Sequence, residues 1–456
     1  MDSSLCERPN PDPEETEPGQ DQTLSGTRGG KQKVHSLIDK VYSRQNLALA
    51  WERVKKNHGS AGIDAVTIEK FELRKAYYLD LVHRKLHDGT YQPHPVKRVE
   101  IAKSDGGVRK LGIPTVLDRV VQQALVQRME PIFAPQFLDC SFGYREGRSP
   151  HDAMRKVWRE LQAGDHWIVD ADLRAYFDTI DQTKLVDLIA EEISDGRVLT
   201  LVWSMLRAGV CVAGYWQPTR TGVPQGGVAS PLWSNIYLTP FDRYMTEAGY
   251  RLTRWADDFV IVCKTRQEAE RALAKATRFL QDVLGVEVHP QKTRIVHINH
   301  GVEFLGYKVK RGRGYRLPAA KRQSRANLQN LYAVPRQKSV KRFQEQIRVL
   351  TRRKAPLSLQ EMITQINPVI RGWGTFYRKA HVRLLFNRLD RWIERRLYSF
   401  LAKRWRNGKW RTYPSSRLIG EFGLVRLTHL IPGLVAREPT DGQRRKAAYG
   451  KTVRAV

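Results

Sequence analysis

Apolar positions along the chain follow two rhythms. Leu37, Val41, Leu47 and Leu49, then Trp51 and Val54, predict short helices once order begins near Lys31. Val96 to Ile113 reads as a hairpin: VKRVEIA, a turn at Lys103-Ser104-Asp105-Gly106-Gly107, then VRKLGI. Asp118 opens a helix with Val121, Leu125 and Met129 on one face. Strand-like runs follow at 167–171, 251–255 and 259–263, with helical segments between them. Helices alternating with short antiparallel strands predict an α+β palm rather than a doubly wound parallel sheet. After about residue 320 the strand signals fade. Phe343, Ile347 and Leu350 share a face of a run from Ser339, Ser358 with Glu361 makes a capping box, and a third helical run covers roughly 381–405.

The polar positions divide the chain further. Residues 1–30 carry Asp2, Glu7, Asp12, Glu14, Glu15, Glu17 and Asp21 against Arg8 and Arg28, and read as a disordered acidic tail. Residues 31–320 form the α+β part, 321–410 a helical part and 411–456 a basic extension: Lys409 just precedes it, Arg411 starts it and Arg444, Arg445, Lys446 and Lys451 lie within it. Lys and Arg number 78 against 47 Asp and Glu, a formal net charge of +31. Such an excess predicts attraction to a polyanion, of which nucleic acid is the commonest; composition by itself leaves an anionic membrane open. A hydrophobic fraction of 41% with 11 Trp supports packed cores. No apolar run approaches the ~20 residues that span a bilayer, and no apolar signal core follows Met1. A cytoplasmic protein without a membrane partner is expected. Cys6, Cys140, Cys211 and Cys263 lie far apart with no Cys-x-x-Cys pair, so isolated buried thiols are expected rather than a zinc site or a disulfide framework.

The candidate chemistry lies in two acidic segments. In Arg251-Leu-Thr-Arg-Trp-Ala-Asp257-Asp258-Phe-Val-Ile-Val-Cys263, apolar β-formers flank adjacent carboxylates. Neighbours on a regular strand point to opposite faces. Both carboxylates serve one site only if a tight turn breaks that alternation, as a hairpin with Ala-Asp-Asp at its bend does. Carboxylates held together repel unless a cation neutralises them, and Mg²⁺ favours a few carboxylates plus substrate phosphates. The second segment, Trp167-Ile-Val-Asp170-Ala-Asp172-Leu-Arg-Ala-Tyr176-Phe177-Asp178, is a strand ending in carboxylates and aromatics. One of its carboxylates would join Asp257 and Asp258 around two ions about 3.5–4 Å apart. Spacing does not choose among Asp170, Asp172 and Asp178.

Trp255-Ala256-Asp257-Asp258 resembles the Tyr-Ala-Asp-Asp box of reverse transcriptases, and Asp172 to Asp178 is similar to the preceding metal-binding motif of the group II intron family. Other blocks resemble that family in order: Gly62-Ile-Asp64, Lys103 to Arg109, Leu111 to Arg119, Ser141 to Asp152, Gly222-Val-Pro-Gln225-Gly226 through Leu238, Gly285 to Lys292, and Phe304-Leu-Gly-Tyr307. Asn367-Pro368-Val-Ile-Arg371-Gly372-Trp373-Gly-Thr-Phe-Tyr377 resembles the maturase signature of the family. The resemblance, from about residue 36 to about 430, implies a right-hand polymerase: fingers and an antiparallel palm sheet, then an α-helical thumb and maturase domain. It implies an RNA-directed DNA polymerase with two Mg²⁺ ions on Asp172, Asp257 and Asp258. It places Phe177 under the incoming sugar as a gate against a 2′-hydroxyl, with Lys103, Arg109, Gln225 and Lys292 about the nucleotide. Its implied partners are intron RNA, a DNA target or primer and dNTPs, in a bacterial, nucleoid-associated setting that admits a homodimer.

The sequence departs from the family pattern at Trp255, where Tyr is usual, at Glu146 and Pro150, where Pro and Ala are common, and in lacking the paired cysteines and histidines of an endonuclease domain. The last departure implies an endonuclease-less member that primes by another route, such as nascent strands at replication forks. Between 370 and 410, Arg371, Arg378, Lys379, Arg388 and Arg395 are interleaved with Trp373, Tyr377, Trp392 and Tyr398. The cations suit RNA phosphates, while Trp373 and Trp392 are expected in the core of a helical thumb. Two other functions are weighed against reverse transcription of a bound intron with help in its splicing. A non-catalytic splicing factor would be expected to have lost its carboxylates. A domesticated polymerase of phage defence or spacer acquisition would be expected to lack the full maturase signature or to carry fused domains.

Overall fold

One carboxylate organises the start of the chain. Asp195 accepts hydrogen bonds from the Leu37 and Ile38 amides, each at 2.8 Å, and from the Arg197 and Val198 amides at 3.1 and 3.3 Å. It thereby serves the first turns of two helices, Ile38–Tyr42 and Gly196–Leu206, whose amides have no partner within the helix. The short helices predicted here are Ile38–Tyr42 and Arg44–Lys56. Leu47, Trp51 and Val54 are buried, whereas Leu49 faces solvent. The computed structural model describes residues 33–102, 107–311, 331–402 and 411–432. The acidic 1–30 segment, Lys103 and the far C-terminal residues lie outside the described residues.

Strands β1 (Val96–Ala102), β2 (Val108–Ile113), β3 (Trp167–Asp172), β4 (Val210–Val212), β5 (Tyr215–Gln217), β6 (Arg251–Trp255), β7 (Asp258–Cys263), β8 (Arg294–His297), β9 (Val302–Phe304), β10 (Tyr307–Arg311) and β11 (Leu331–Pro335) form three sheets. β1 and β2 are the predicted antiparallel hairpin, and β1 also pairs in parallel with β4 in the order β2-β1-β4-β5. The second sheet has the order β6-β7-β3-β8, with β7 antiparallel to both β3 and β6. Helices cover it, and with them it makes the α+β palm that the sequence predicts. Its central strands are apolar runs because both faces are covered: Phe259, Val260, Ile261 and Val262 on β7 are all buried. The helices Val116–Phe133 and Ser230–Glu247 share the core with this sheet.

Details differ from the sequence reading for local reasons. The helix expected from Asp118 begins at Val116, because the Thr115 hydroxyl caps it by accepting from the Asp118 amide at 3.0 Å. Asp118 is then a buried residue of the first turn, accepting from the Tyr91 hydroxyl at 2.5 Å. Cys140 and Cys263 are buried free thiols, as expected, whereas Cys211 is disulfide-bonded. No described helix is long and apolar enough to cross a membrane.

The described residues up to Ile295 form one compact unit and those from Val296 a second. The change in composition had suggested 320. The earlier division arises because β9 and β10 pair with β11, in the order β11-β10-β9, a strand that the helical reading beyond 320 missed. The helices Gln337–Leu350, Leu359–Tyr377 and Arg383–Leu401 follow, the second opening on the predicted Ser358–Glu361 capping box. Trp373, expected in the core, is half-buried at its edge: it stacks on Phe343 with ring centroids 4.5 Å apart and donates to the Ser339 hydroxyl at 3.1 Å.

The segment 411–432 packs into this unit. Asn367 donates to the Gly423 carbonyl and accepts from the Val425 amide, both at 3.0 Å. Asp390 accepts from the Leu427 and Thr428 amides at 2.8 and 3.1 Å.

Candidate active site

The two acidic segments meet at one end of the palm sheet. β6 and β7 are joined by a two-residue turn, Ala256-Asp257, with Trp255 opposite Asp258 in register. Ala256 takes a left-handed φ of 57°, which supplies the reversal that the adjacent carboxylates require. On the other flank of β7, Asp172 stands opposite Asp258. Directly paired residues of antiparallel strands project from the same face, so the end of β3 and the start of β7 present their carboxylates together.

This geometry separates the three acidic residues that spacing left equivalent. Asp170 is buried and bound to Arg294 at 2.9 Å. Asp178 is exposed on the short helix Tyr176–Thr179. Asp172 lies at the hairpin, with the Lys292 ammonium 2.5 Å from its Oδ2. Burial pushes the Asp257 carboxyl above the ordinary carboxylate pKa and the charge of Asp172 pushes it the same way, while Arg109 and Lys292 oppose the rise. Asp172, Asp257, Arg109 and Lys292 are therefore close enough to act on one another.

The neighbouring parts are knitted by backbone hydrogen bonds. The Val223 amide donates to the Phe177 carbonyl at 2.7 Å, and the Gly112 amide of β2 donates to the Gln225 carbonyl at 2.7 Å. The Asp172 carbonyl accepts from the His289 amide at 2.8 Å. Phe177, on the short helix Tyr176–Thr179, and Gln225, on the loop beside it, are thus tied to the strand that carries Arg109. Gly222 has a φ of 81°, and a β-carbon there would lie 2.8 Å from the Phe177 carbonyl oxygen. Arg371, Arg378, Lys379, Arg388 and Arg395 belong to the second unit, where all five are exposed.

Among the described residues, no three His, Cys, Asp or Glu side chains could hold a metal unaided. The donor set suits an ion that brings other ligands. Mg²⁺ is commonly held by one or two carboxylates with water and substrate phosphates completing the octahedron. A half-buried carboxylate whose charge is disfavoured by burial and by a second carboxylate is one that such a cation would neutralise.

Sequence reasoning missed the group behind the hairpin. Arg254 on β6 and Asp242 on the helix Ser230–Glu247 are both fully buried, and Arg254 Nε and Nη2 donate to the two Asp242 carboxylate oxygens at 2.7 and 2.5 Å. Arg254 also reaches Asn235, Ser141 and the Ala256 carbonyl. The loop at Ser141 runs beside β6, the Phe142 amide donating to the Arg254 carbonyl at 2.9 Å. Gly143 packs so closely that a β-carbon there would be 2.4 Å from the Ala256 nitrogen. The one available signal was an arginine two residues before the adjacent carboxylates' turn, in a strand beside the apolar run of β7.

A palm of this form, with paired carboxylates at a hairpin bend and basic residues beside them, defines a reverse transcriptase, an RNA-directed DNA polymerase. The family model for reverse transcriptase (RNA-dependent DNA polymerase) matches residues 101–309, and that for the group II intron maturase-specific domain matches 340–417. Protein YkfC of Escherichia coli (strain K12) is 35% identical over an alignment covering 57% of this chain and 78% of that protein. The group II intron-encoded protein LtrA of Lactococcus lactis subsp. cremoris is 29% identical over 60% of this chain, and the match spans 57% of LtrA's own length. The chain belongs to the group II intron reverse transcriptase/maturase family.

Gly143→Ala should lower the primer-extension rate by about 100-fold, the order that an ångström's displacement of a reacting group produces. Single-turnover extension on an RNA template measures it, and an unchanged rate would show that the hairpin tolerates the displacement.

Proposed function

We propose that this protein binds its group II intron RNA, assists its splicing and copies it into DNA during retrohoming by two-metal nucleotidyl transfer. The observation that carries this reading is the register of Asp172 opposite Asp258, with Asp257 in the adjoining turn. Asp172, Asp257 and Asp258 would hold two Mg²⁺ ions. When bound, these supply activation of the primer 3′-hydroxyl and neutralisation of the pyrophosphate that leaves.

The chain's own residues position and compensate charge, which is most of what a protein contributes to phosphoryl transfer. Arg109 and Lys292, with Lys103, attract the triphosphate of the incoming dNTP. Gln225 borders the nucleotide on a loop that Gly112 holds in place. Phe177 lies beneath the sugar and excludes a 2′-hydroxyl by contact. The exposed Arg371, Arg378, Lys379, Arg388 and Arg395 neutralise phosphates of the intron RNA, an attraction that weakens with salt. In this reading the first unit supplies fingers and palm and the helices from Gln337 onward the thumb and maturase domain, in a bacterial, nucleoid-associated setting with a DNA target strand as primer.

Asp258→Asn should abolish extension of a DNA primer on an RNA template while leaving RNA binding in place; normal extension by this variant sinks the mechanism. Phe177→Ala should raise the ribonucleotide share of kcat/KM by about 10- to 100-fold, roughly 1–3 kcal/mol of lost discrimination. Competition between rNTP and dNTP reads it, and no gain in ribonucleotide incorporation counts against the gate. RNA that copurifies from the native host at high salt should be one structured intron encoding this chain. A different noncoding RNA there would point to a domesticated polymerase.

A further inference from the structure

A left-handed alanine is a conformation that the chain adopts against its preference, by roughly 1–2 kcal/mol, and it persists only where the surroundings over-determine it. Ala256 is such a residue, at φ 57°, and the next residue is Asp257. Its surroundings are specific. Arg254, which is fully buried, sends Nη1 to the Ala256 carbonyl at 2.9 Å and to Asn235 Oδ1 at 3.2 Å. Nε and Nη2 go to Asp242 at 2.7 and 2.5 Å, and Nη2 also donates to Ser141 Oγ at 2.9 Å. A guanidinium has five N–H groups in a rigid fork, and these contacts occupy them all.

The direction of that fork is set by a helix, not by the hairpin itself. Asp242 and Asn235 both lie on Ser230–Glu247. Asn235 also donates to the Gly143 carbonyl at 2.9 Å, and Gly143 in turn lies against the Ala256 nitrogen. One side chain therefore relays the position of a long buried helix to the peptide that precedes Asp257.

We propose that Arg254 is a positioning residue of the polymerase reaction, holding the Ala256 carbonyl so that Asp257 is presented to the site in one orientation. This rests on the reading of Asp257 as a carboxylate of the reacting site. A lysine keeps the charge facing Asp242 but has no second nitrogen to reach the Ala256 carbonyl, so it does not replace the function. The contrast with a purely structural role is sharp. A buried ion pair that serves only folding is commonly replaced by apolar residues of similar volume without loss of stability.

The test compares Arg254→Lys and the double variant Arg254→Met/Asp242→Leu with wild type in the full chain. Thermal melting, template–primer affinity, dNTP KM, kcat and the Mg²⁺ dependence of extension are measured, with Asp257→Asn alongside. The expected result is cooperative melting, wild-type affinity for template–primer and unchanged KM in whichever variant folds. In that variant kcat is about 100-fold lower, with extension needing more Mg²⁺. Wild-type kcat in a folded variant overturns the proposal while a dead Asp257→Asn keeps the site assignment standing. Loss of folding in both variants overturns it by assigning the pair to stability. Normal extension by Asp257→Asn removes the site reading and this inference together.

Discussion

A guanidinium excluded from solvent must find an acceptor for each N–H, because an unpaired buried charge is far more costly than an exposed one. Arg254 meets that requirement by gathering Asp242, Asn235, Ser141 and Ala256. Satisfying it brings three separate stretches of chain to fixed positions: β6 with the turn that ends in Asp257, the helix Ser230–Glu247 and the loop before Gly143. Low dielectric makes such a network strong when complete and disruptive when one member is missing. The hairpin end of the palm sheet is therefore built outward from an ion pair that lies wholly within the core.

Around that point the site is assembled by main chain more than by side chain. Gly112 to Gln225, Val223 to Phe177 and Asp172 to His289 are backbone bonds, and they link segments that span most of the first unit. Backbone bonds of this kind constrain loops without consuming side chains. The side chains of Arg109, Phe177 and Gln225 are not spent on these ties. Charge is divided between the two units. Exposed ion pairs are scattered over the first unit, while the second carries exposed arginines along its helices.

Much of this was legible in the sequence, and the parts that were not have physical causes. Apolar runs on β3 and β7 stood out because both faces of the sheet are covered. The Ala-Asp-Asp bend followed from the need to bring adjacent carboxylates to one side. Three acidic residues near the end of β3 could not be told apart, since the choice depends on register with β7 and on Arg294, more than a hundred positions away. β4, β5 and β8 to β11 were missed because short strands carry little periodicity, and β11 precedes a long helical stretch. The Arg254–Asp242 pair was invisible for a related reason: its partners are on different elements, and a charged residue reads as a surface position until the fold shows otherwise. The Asn367-to-Tyr377 block matched the maturase pattern, yet two of its members, Asn367 and Trp373, turn out to hold the unit together.

The ties from Asn367 to Gly423 and from Asp390 to Leu427 also impose an order on biosynthesis. A chain leaves the ribosome from its N-terminal end, and domains tend to close as they emerge. The first unit can finish its core while the remainder is still being translated. The helices of the second unit must wait, since their last partners are encoded near the end of the described chain. During that interval the first unit is closed and the unit that carries Arg371, Arg378, Lys379, Arg388 and Arg395 is not. The arginine-bearing unit is thus the last part of the described chain to be completed.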